Sequence, residues 1–205
     1  MKILIDNGHG ENTSGKRSPY SANGTEPALE LREYKYAREI ATAVVNGLVR
    51  KGYDAELLVP ESYDVSLLER AHRTNVYCNS LGKKNVLLVS VHCNASGNGS
   101  KWMNAHGWEA YTTVGQTDSD KLAECLCNEA EKQFGGRPVR SDREDGDKDR
   151  EKQFYILRKT LCAAVLTENF FQDNIEDVKY LLSDEGRQAV VNVHIDGIVK
   201  YISSL

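Results

Sequence analysis

Apolar residues fall into two patterns along the chain. Residues 85–91 (NVLLVSV) and 162–167 (CAAVLT) are short and almost continuously apolar, as strands covered on both faces of a sheet are. Longer stretches repeat apolar residues every three or four positions, which is typical of helices with one buried face. We predict strands at 2–6, 54–59, 85–91, 107–113, 154–157 and 162–167. We predict helices at 27–51, 66–80, 118–134, 175–182 and 184–203.

The order of these elements indicates the fold class. Strands that alternate with helices favour an open sheet with helices on both faces. We therefore predict an α/β fold with a twisted sheet that is mainly parallel or mixed. No internal repeat or linker interrupts the pattern, so residues 1–205 are expected to form a single domain. Residues 10–26, 94–106 and 135–153 are polar or charged, and we expect loops there.

Composition excludes several classes of partner. The 205 residues carry 26 Lys and Arg against 30 Asp and Glu, and no basic stripe is present, which argues against nucleic acid. No run approaches the roughly 20 apolar residues of a membrane span.

The N-terminus lacks the features of a secretory signal, so the chain is expected to be made in the cytoplasm or already trimmed. The five cysteines are unevenly spaced, and we interpret them as reduced thiols.

Three predicted strands end in residues that can carry chemistry. The first runs into DNGHG, which contains His9, while His92 and Glu168 directly follow the third and the last. The carboxyl ends of parallel strands meet at one edge of a sheet, where ligands bind, so we expect these three side chains to lie close together. Two histidines and a carboxylate predict a metal site or an acid–base site. Gly8 and Gly10 would allow close approach to His9.

A carboxylate on the first predicted helix is a further candidate. On a helical wheel Glu33 falls on the apolar stripe formed by Ala37, Ile40, Val44 and Leu48. A buried carboxylate needs a partner, either a cation shared with the two histidines or an arginine such as Arg32, Arg38 or Arg70. Glu30 lies near the same stripe and is the alternative. Zinc bound by two histidines and one glutamate keeps an open position, and a separate carboxylate such as Glu168 can then move protons.

These motifs resemble the zinc-dependent N-acetylmuramoyl-L-alanine amidases of the cell-wall-hydrolase type, the amidase 3 family. The family pattern D-x-G-H-G corresponds to DNGHG, S-[IV]-H-x-N-[AS] to SVHCNA, and E-x-G-F-x-S-N to ENFFQDN. In the last motif Phe170 replaces the glycine and Asp173 replaces the serine. The family glutamate precedes an alanine by eight residues and a glycine by nineteen, as Glu33 precedes Ala41 and Gly52. Glu30 fits neither spacing.

The resemblance implies an activity and a role for each residue. His9, Glu33 and His92 would bind one zinc ion, a zinc-bound water would be the nucleophile, and Glu168 would be the general base and acid. The substrate would be peptidoglycan or a muropeptide, cut at the amide between the lactyl group of N-acetylmuramic acid and L-alanine. The chain would form one catalytic domain, built on a mixed sheet flanked by helices.

Two other functions remain open at this point. One is a zinc carboxypeptidase-like hydrolase that acts on cell-wall peptides. Such an enzyme needs an arginine for the terminal carboxylate, and the candidates are Arg137, Arg140 and Arg158. The other is a non-catalytic peptidoglycan-binding relative, against which the presence of Glu168 speaks.

Three remaining features are interpreted as structural. Cys93 follows His92 directly, and neighbours in a strand point to opposite faces, so Cys93 should point away from the metal. His194 lies at helical spacing with apolar residues and is expected to be a satisfied interior histidine. Asp145, Asp147 and Asp149 occupy alternate positions, which hints at calcium. The glycine and terminal glutamate of an EF-hand loop are missing, so a solvated loop is favoured.

Overall fold

A computed structural model describes residues 1–19, 29–142 and 146–205, and its centre is one six-stranded sheet. The strands are β1 (Lys2–Asn7), β2 (Asp54–Leu57), β3 (Val86–Asn94), β4 (Glu109–Thr112), β5 (Arg150–Glu151) and β6 (Ala163–Phe171). The helices are α1 (Glu33–Arg50), α2 (Leu67–Leu81), α3 (Asp118–Gln133), α4 (Tyr155–Lys159), α5 (Ile175–Leu182) and α6 (Asp184–Ser203). The strand order is β2-β1-β3-β6-β4-β5.

The sheet is mixed, which confirms the predicted fold class. Strands β2, β1, β3 and β6 run parallel, β4 runs antiparallel to β6, and β5 runs parallel to β4. Asp6 of β1 pairs with Ser90 of β3, and His92 of β3 pairs with Glu168 of β6. The carboxyl ends of β1, β3 and β6 therefore lie together at one edge.

Helices cover both faces of the sheet, which explains the continuously apolar central strands. Ile3 and Val89 belong to the apolar cluster that includes residues of α1, α3 and α6. Leu4 and Leu88 belong to the cluster on the opposite face, with residues of α2 and α4. Successive residues of a strand point to opposite faces, so each central strand needs apolar residues at both its odd and its even positions.

The first helix begins at Glu33, not near residue 27 as predicted. The predicted start at Pro27 lies outside the described residues. The segment directly before the helix is extended because it pairs with an earlier part of the chain. Ser18 N donates to Leu31 O at 2.8 Å, and Glu33 N donates to Lys16 O at 3.0 Å. This pairing fixes the point at which helical structure starts, and it makes Glu33 the first residue of α1.

Other boundaries also differ from the prediction. The strand predicted at 154–157 is wrong, because this apolar run enters helix α4 instead. A run this short has no period that distinguishes a strand from a helical turn. The segment 135–153, predicted to be irregular, contains the short strand β5. Strands β3 and β6 extend further than predicted, so His92 and Glu168 lie within strands and not beyond them.

Helix α6 carries the interior histidine. His194 is fully buried, its Nδ1 lies 2.7 Å from Val190 O, and its Nε2 lies 2.9 Å from Thr167 Oγ1. A neutral imidazole satisfies both contacts, with Nδ1–H donating to the carbonyl and Nε2 accepting from the hydroxyl. The structural interpretation of His194 is confirmed.

No helix in the described part of the chain, α6 included, is long and apolar enough to cross a bilayer.

Burial of His194 predicts a loss of stability in acid. Burial lowers the pKa of His194 from the ordinary 6.5 to about 4. Between these values the unfolded chain takes up a proton that the folded chain does not. The contribution of His194 to the free energy of unfolding is therefore complete above pH 6.5. It falls by about 3 kcal/mol as the pH approaches 4. His194→Gln should remove this part of the acid sensitivity, measured by urea unfolding at several pH values.

His72 provides the matched control, because it is exposed on α2. His72→Gln should keep the pH dependence of the parent chain. Equal slopes of unfolding free energy against pH for the parent and His194→Gln would contradict the assignment of a neutral buried imidazole.

Candidate active site

A cavity of about 400 Å³ opens at the carboxyl edge of the parallel strands. It lies on the face of the sheet covered by α2 and α4. Its lining includes residues from β1, β3, β6, α2 and α4, among them His9, Lys16, Arg70, His92, Phe154 and Glu168. The three side chains expected to meet at this edge are thus brought together.

His9 lies in a strained turn directly after β1. Its φ angle is +62°, in the left-handed region that residues other than glycine seldom use. The carbonyl oxygen of His9 accepts hydrogen bonds from Arg38 Nη1 at 3.0 Å and from Arg70 Nη2 at 3.3 Å. Two arginines therefore hold the backbone in a conformation that it would otherwise avoid.

Arg70 also forms a buried ion pair beneath this turn. Its Nη1 lies 2.5 Å from Asp6 Oδ1, and both side chains are 2% exposed. Arg70 donates further bonds to Asn7 O at 2.9 Å and Val65 O at 2.7 Å, while Ser90 Oγ donates to Asp6 Oδ2 at 2.5 Å. Buried charges are tolerated when such bonds satisfy them. The network fastens α2 to the ends of β1 and β3.

Both glycines of the turn lie where a side chain has no room. A Cβ atom on Gly8 would overlap the imidazole ring of His92, and one on Gly10 would overlap the backbone of Asp64. Neither glycine has a positive φ, so close approach is the requirement. The expectation that these glycines allow close approach is confirmed for His92 and for the chain at Asp64.

The carboxylate of Glu33 is the point where the two histidines converge. Glu33 Oε1 lies 3.3 Å from His9 Nε2 and 3.2 Å from His92 Nδ1. The same oxygen accepts from Cys93 N at 3.1 Å, and Oε2 accepts from Gln172 Nε2 at 3.0 Å. Burial by itself would raise the pKa of Glu33, but the hydrogen bonds from the histidines outweigh it and hold the pKa well below its usual range. Glu33 is therefore ionised in the folded chain.

The alternative partners of Glu33 are occupied elsewhere. Arg32 bonds to Glu30 at 2.6 Å, Arg38 bonds to backbone carbonyls, and Arg70 bonds to Asp6. The side chain of Glu30 is 40% exposed, whereas that of Glu33 is 1% exposed. The structure thus brings Glu33, and not Glu30, to the two histidines.

The converging donor atoms fit a metal ion. One ligand atom each from His9, Glu33 and His92 lies within 4.8 Å of the other two. Two imidazole nitrogens and a carboxylate oxygen suit zinc and similar divalent ions. The three residues could hold such an ion while one side remains open to the cavity.

Glu168 faces the same cavity from β6. Its Oε2 is buried and has no hydrogen-bond partner among the described residues. Burial raises the pKa of Glu168 to about 8, and the charges of Glu33 and Glu109 act in the same direction while His92 opposes them. A carboxyl group in this environment can hold and release a proton near neutral pH.

A bulge follows Glu168 and explains the residue at position 170. His92 pairs with Glu168 but Asn94 pairs with Phe171, so β6 contains one extra residue between the two pairs. Phe170 has a φ of +63°, a conformation that suits the glycine of the family motif. Its ring is fully buried and packs on Phe134 with centroids 4.8 Å apart. Residues beyond a bulge change face, which lets Gln172 reach Glu33.

Asp173, the second departure from the family motif, holds the loop after β3. It is fully buried, and its Oδ2 accepts from Ser96 N at 2.9 Å and Gly97 N at 2.7 Å. Its backbone carbonyl accepts from Met103 N at 2.7 Å. The aspartate therefore fastens the polar loop that follows His92.

Cys93 points away from the cavity, as predicted. Its side chain packs in the apolar cluster with α1, and burial raises the pKa of its thiol well above the usual value. A thiolate nucleophile at this position is therefore excluded.

Sequence reasoning did not assign three residues that shape the site. Asp6 and Gln172 were given no role, and Arg70 was considered only as a partner of Glu33. One signal was available for Asp6, because a carboxylate at the end of an apolar strand needs a counter-charge. No local signal identifies Arg70 as that partner, since the two are 64 residues apart in sequence.

The fold and the site together define a class of protein. Proteins of this class are α/β domains with a His–Glu–His donor set and a further carboxylate at the carboxyl edge of a mixed sheet, as this chain has. Residues 3–200 match the family model described as N-acetylmuramoyl-L-alanine amidase. The chain belongs to this family.

Relatives agree with this assignment. The chain is 30% identical over 207 residues to the N-acetylmuramoyl-L-alanine amidase CwlM of Bacillus licheniformis, covering 98% of this chain and 68% of that protein. It is 28% identical over 205 residues to the endolysin of Bacillus phage SPP1, covering 98% of this chain and 66% of that protein. The chain thus spans about two thirds of the length of these curated relatives.

Solved structures share the fold. The amidase AmiC2 of Nostoc punctiforme is 25% identical, with a TM-score of 0.77 over 99% of this chain and 97% of that one. The N-acetylmuramoyl-L-alanine amidase of Clostridium difficile 630 is 24% identical, with a TM-score of 0.76 over 99% of this chain and 97% of that one. Both similarities extend over nearly the whole of this chain.

The buried pair beneath the His9 turn predicts a large stability effect. Arg70→Met should destabilise the chain by about 3–5 kcal/mol, because Asp6 would keep a buried charge without its partner. Arg73→Met is the control one turn further along α2, where Arg73 pairs with the partly exposed Glu61 and Glu69. That change should cost about 1 kcal/mol or less. Urea unfolding measures both, and equal losses would contradict the role assigned to Arg70.

Proposed function

We propose that residues 1–205 form a single catalytic domain that hydrolyses peptidoglycan in a zinc-dependent reaction. The bond cut is the amide between the lactyl group of N-acetylmuramic acid and L-alanine. The observation that carries the proposal is the convergence of His9 Nε2 and His92 Nδ1 on Glu33 Oε1, beside a cavity that His9, His92 and Glu168 line. Membership of the amidase family supplies the substrate class.

His9, Glu33 and His92 are the proposed zinc ligands. When bound by two histidines and a glutamate, zinc polarises a carbonyl group and lowers the pKa of water to about 7. The contacts around the donors support this role: Arg38 bonds to the carbonyl of His9, His92 lies in strand β3, and Glu33 is the first residue of α1. Gln172 orients the second oxygen of Glu33.

Glu168 is the proposed general base and general acid. It first takes a proton from the attacking water and then gives that proton to the nitrogen of L-alanine as the C–N bond breaks. An amine is a poor leaving group unless it is protonated, so the reaction needs a positioned acid. The unpaired Oε2 and the raised pKa of Glu168 suit a group that carries a proton for part of the cycle.

A carboxypeptidase-like activity is less well supported. None of the arginines considered for it lines the described cavity. Arg137 stacks over the ring of Tyr180, with 3.7 Å between the guanidinium carbon and the ring centroid, and Arg140 Nε lies 2.9 Å from Glu109 Oε1. Arg158 borders a separate surface cavity. A site that binds a terminal carboxylate needs a positioned cation, and these residues do not provide one.

Digestion products distinguish the remaining activities. An amidase produces peptides with free L-alanine amino termini, a carboxypeptidase releases C-terminal amino acids, and a binding protein without catalysis leaves muropeptides intact. Mass spectrometry of muropeptides incubated with the zinc-loaded protein should show free L-alanine amino termini.

The metal assignment predicts the zinc content of variants. The purified protein, loaded with zinc and dialysed, should hold about one zinc ion per chain. His9→Ala, His92→Ala and Glu33→Gln should each weaken zinc binding by more than about tenfold, because even the loss of groups behind the ligands typically costs 10–100-fold. Atomic emission measures the content, and competition with a chromogenic chelator measures the affinity.

Glu30→Gln is the matched control, because Glu30 lies three residues before Glu33 and pairs with Arg32 at the surface. It should bind zinc like the parent chain. Full zinc occupancy in both histidine variants would rule out the assigned site, and zinc loss in Glu30→Gln alone would move the carboxylate ligand to residue 30.

A substitution at Glu168 separates catalysis from metal binding. Glu168→Gln should lower turnover of muropeptides by about 10²–10⁴-fold, or roughly 3–5 kcal/mol of barrier, because the proton acceptor is lost. Zinc content and melting temperature should remain close to those of the parent, since Glu168 is not one of the three converging donors.

Two outcomes would contradict this role. Loss of zinc or of thermal stability together with activity would make Glu168 a ligand or a structural residue. Near-normal turnover with normal zinc content would exclude it as the general base.

A further inference from the structure

A cluster of three aspartates lies at the edge of the sheet opposite the candidate active site. Asp120 lies in the first turn of α3, and Asp147 and Asp149 lie just before β5. Each aspartate offers one carboxylate oxygen, and these three oxygens all lie within 4.8 Å of one another. Strand β4 runs antiparallel to β6, with Glu109 opposite Glu168, so its last residue, Thr112, leads away from the active-site edge and towards this cluster.

The cluster is buried around one hydroxyl group. Asp149 is 1% exposed and Asp120 is 6% exposed. Thr112 Oγ1 lies within hydrogen-bond distance of Asp149 Oδ2 and 3.0 Å from Asp120 Oδ1. A hydroxyl carries one proton, so it can donate to only one of these carboxylates at a time. The hydroxyl alone therefore does not satisfy both buried charges.

Two carboxylate oxygens in the cluster lack partners. Asp149 Oδ1 and Asp147 Oδ1 are buried, and neither has a hydrogen-bond donor among the described residues. The nearest lysine in sequence, Lys148, turns away and bonds to Asn128 Oδ1 at 2.6 Å and Glu131 Oε2 at 2.8 Å. Buried carboxylate oxygens without a donor or a cation are costly, so something must neutralise them.

Helix capping accounts for only one member of the cluster. Asp120 accepts from Thr117 N in the capping box of α3, which explains an aspartate at that position. Asp147 Oδ2 accepts from Gln116 Nε2 at 2.9 Å and Asp149 Oδ2 accepts from Thr112 Oγ1, but neither aspartate caps a helix in the described part of the chain. Without a cation, burial raises the pKa of Asp149 to about 7, with Asp147 and Asp120 acting in the same direction against the bond from Thr112.

We propose that Asp120, Asp147 and Asp149 bind a calcium ion. Calcium takes six to eight oxygen ligands at about 2.3–2.6 Å, so oxygens on opposite sides of the ion lie up to about 5 Å apart. The spacing of these carboxylates is within that limit. The Thr112 hydroxyl offers a fourth oxygen, and an adjoining cavity of about 750 Å³, lined by Asp147 and Gln116, gives water access to complete the shell.

The ion would connect three separate parts of the fold. It would tie the segment before β5 to the start of α3 and the end of β4. Strand β5 carries Arg150, whose Nη1 lies 3.5 Å from Glu109 Oε1, and Glu109 pairs in register with Glu168. Calcium would thus stabilise strands β4 and β5, of which β4 lies next to β6, the strand that carries Glu168.

Thermal unfolding of the zinc-loaded, calcium-depleted protein tests the site. Calcium at about a hundredfold its dissociation constant should raise the melting temperature by roughly 5–10 °C. Isothermal titration should give about one calcium ion per chain. Asp149→Asn and Asp147→Asn should lose this response, and both should remain folded because asparagine keeps the shape and removes a buried like charge. Asp147 is only partly buried, which makes its variant the safer of the two.

Two controls separate this site from other effects. Glu124→Gln changes an acidic residue that lines the same cavity but lies outside the cluster, and it should keep the calcium response. His92→Ala, compared with the parent chain with zinc removed from both, should keep it as well, since the calcium site is independent of the proposed zinc ligands. No response of the parent chain to millimolar calcium would overturn the proposal. A response retained in both aspartate variants, or an equal response to magnesium, would overturn it too.

Discussion

The buried carboxylate of Glu33 is the interaction on which the candidate active site depends. A charge in the interior must be compensated, and here two imidazole rings, a backbone amide and the amide of Gln172 converge on it. His9 and His92 reach it from two strands, and Glu33 reaches it because the chain before α1 pairs with residues 16–18. Three elements distant in sequence therefore meet at one carboxylate.

The second constraint is the strain at the end of β1. His9 adopts a left-handed backbone conformation, and hydrogen bonds from Arg38 and Arg70 to its carbonyl offset the cost. Arg70 in turn is held by the buried pair with Asp6. Helices α1 and α2 thus act on the same peptide from opposite faces of the sheet. The orientation of the His9 ring follows from tertiary contacts, and the local sequence alone would not maintain it.

Much of this architecture could be predicted from sequence, and the failures have physical causes. Continuously apolar strands indicated a sheet covered on both faces, and that pattern brought His9, His92 and Glu168 to one edge. The start of α1 was misjudged because a long-range pairing, invisible to local propensity, keeps the preceding residues extended. The Arg70–Asp6 pair joins residues 64 positions apart, and no periodic pattern encodes it. The acidic residues before β5 looked like a solvated loop, because their burial depends on packing against α3 and β4.

The two strands at the margins of the sheet bear on how copies of this chain behave towards one another. Strand β2 has four residues and β5 has two, and both carry charged side chains, Asp54 and Glu56 in one and Arg150 and Glu151 in the other. Exposed strand edges invite intermolecular pairing and aggregation, and short charged edges discourage it. The long apolar strands β1, β3 and β6 lie inside, each paired on both sides. Short charged strands at both margins therefore disfavour edge-to-edge pairing between copies of this chain.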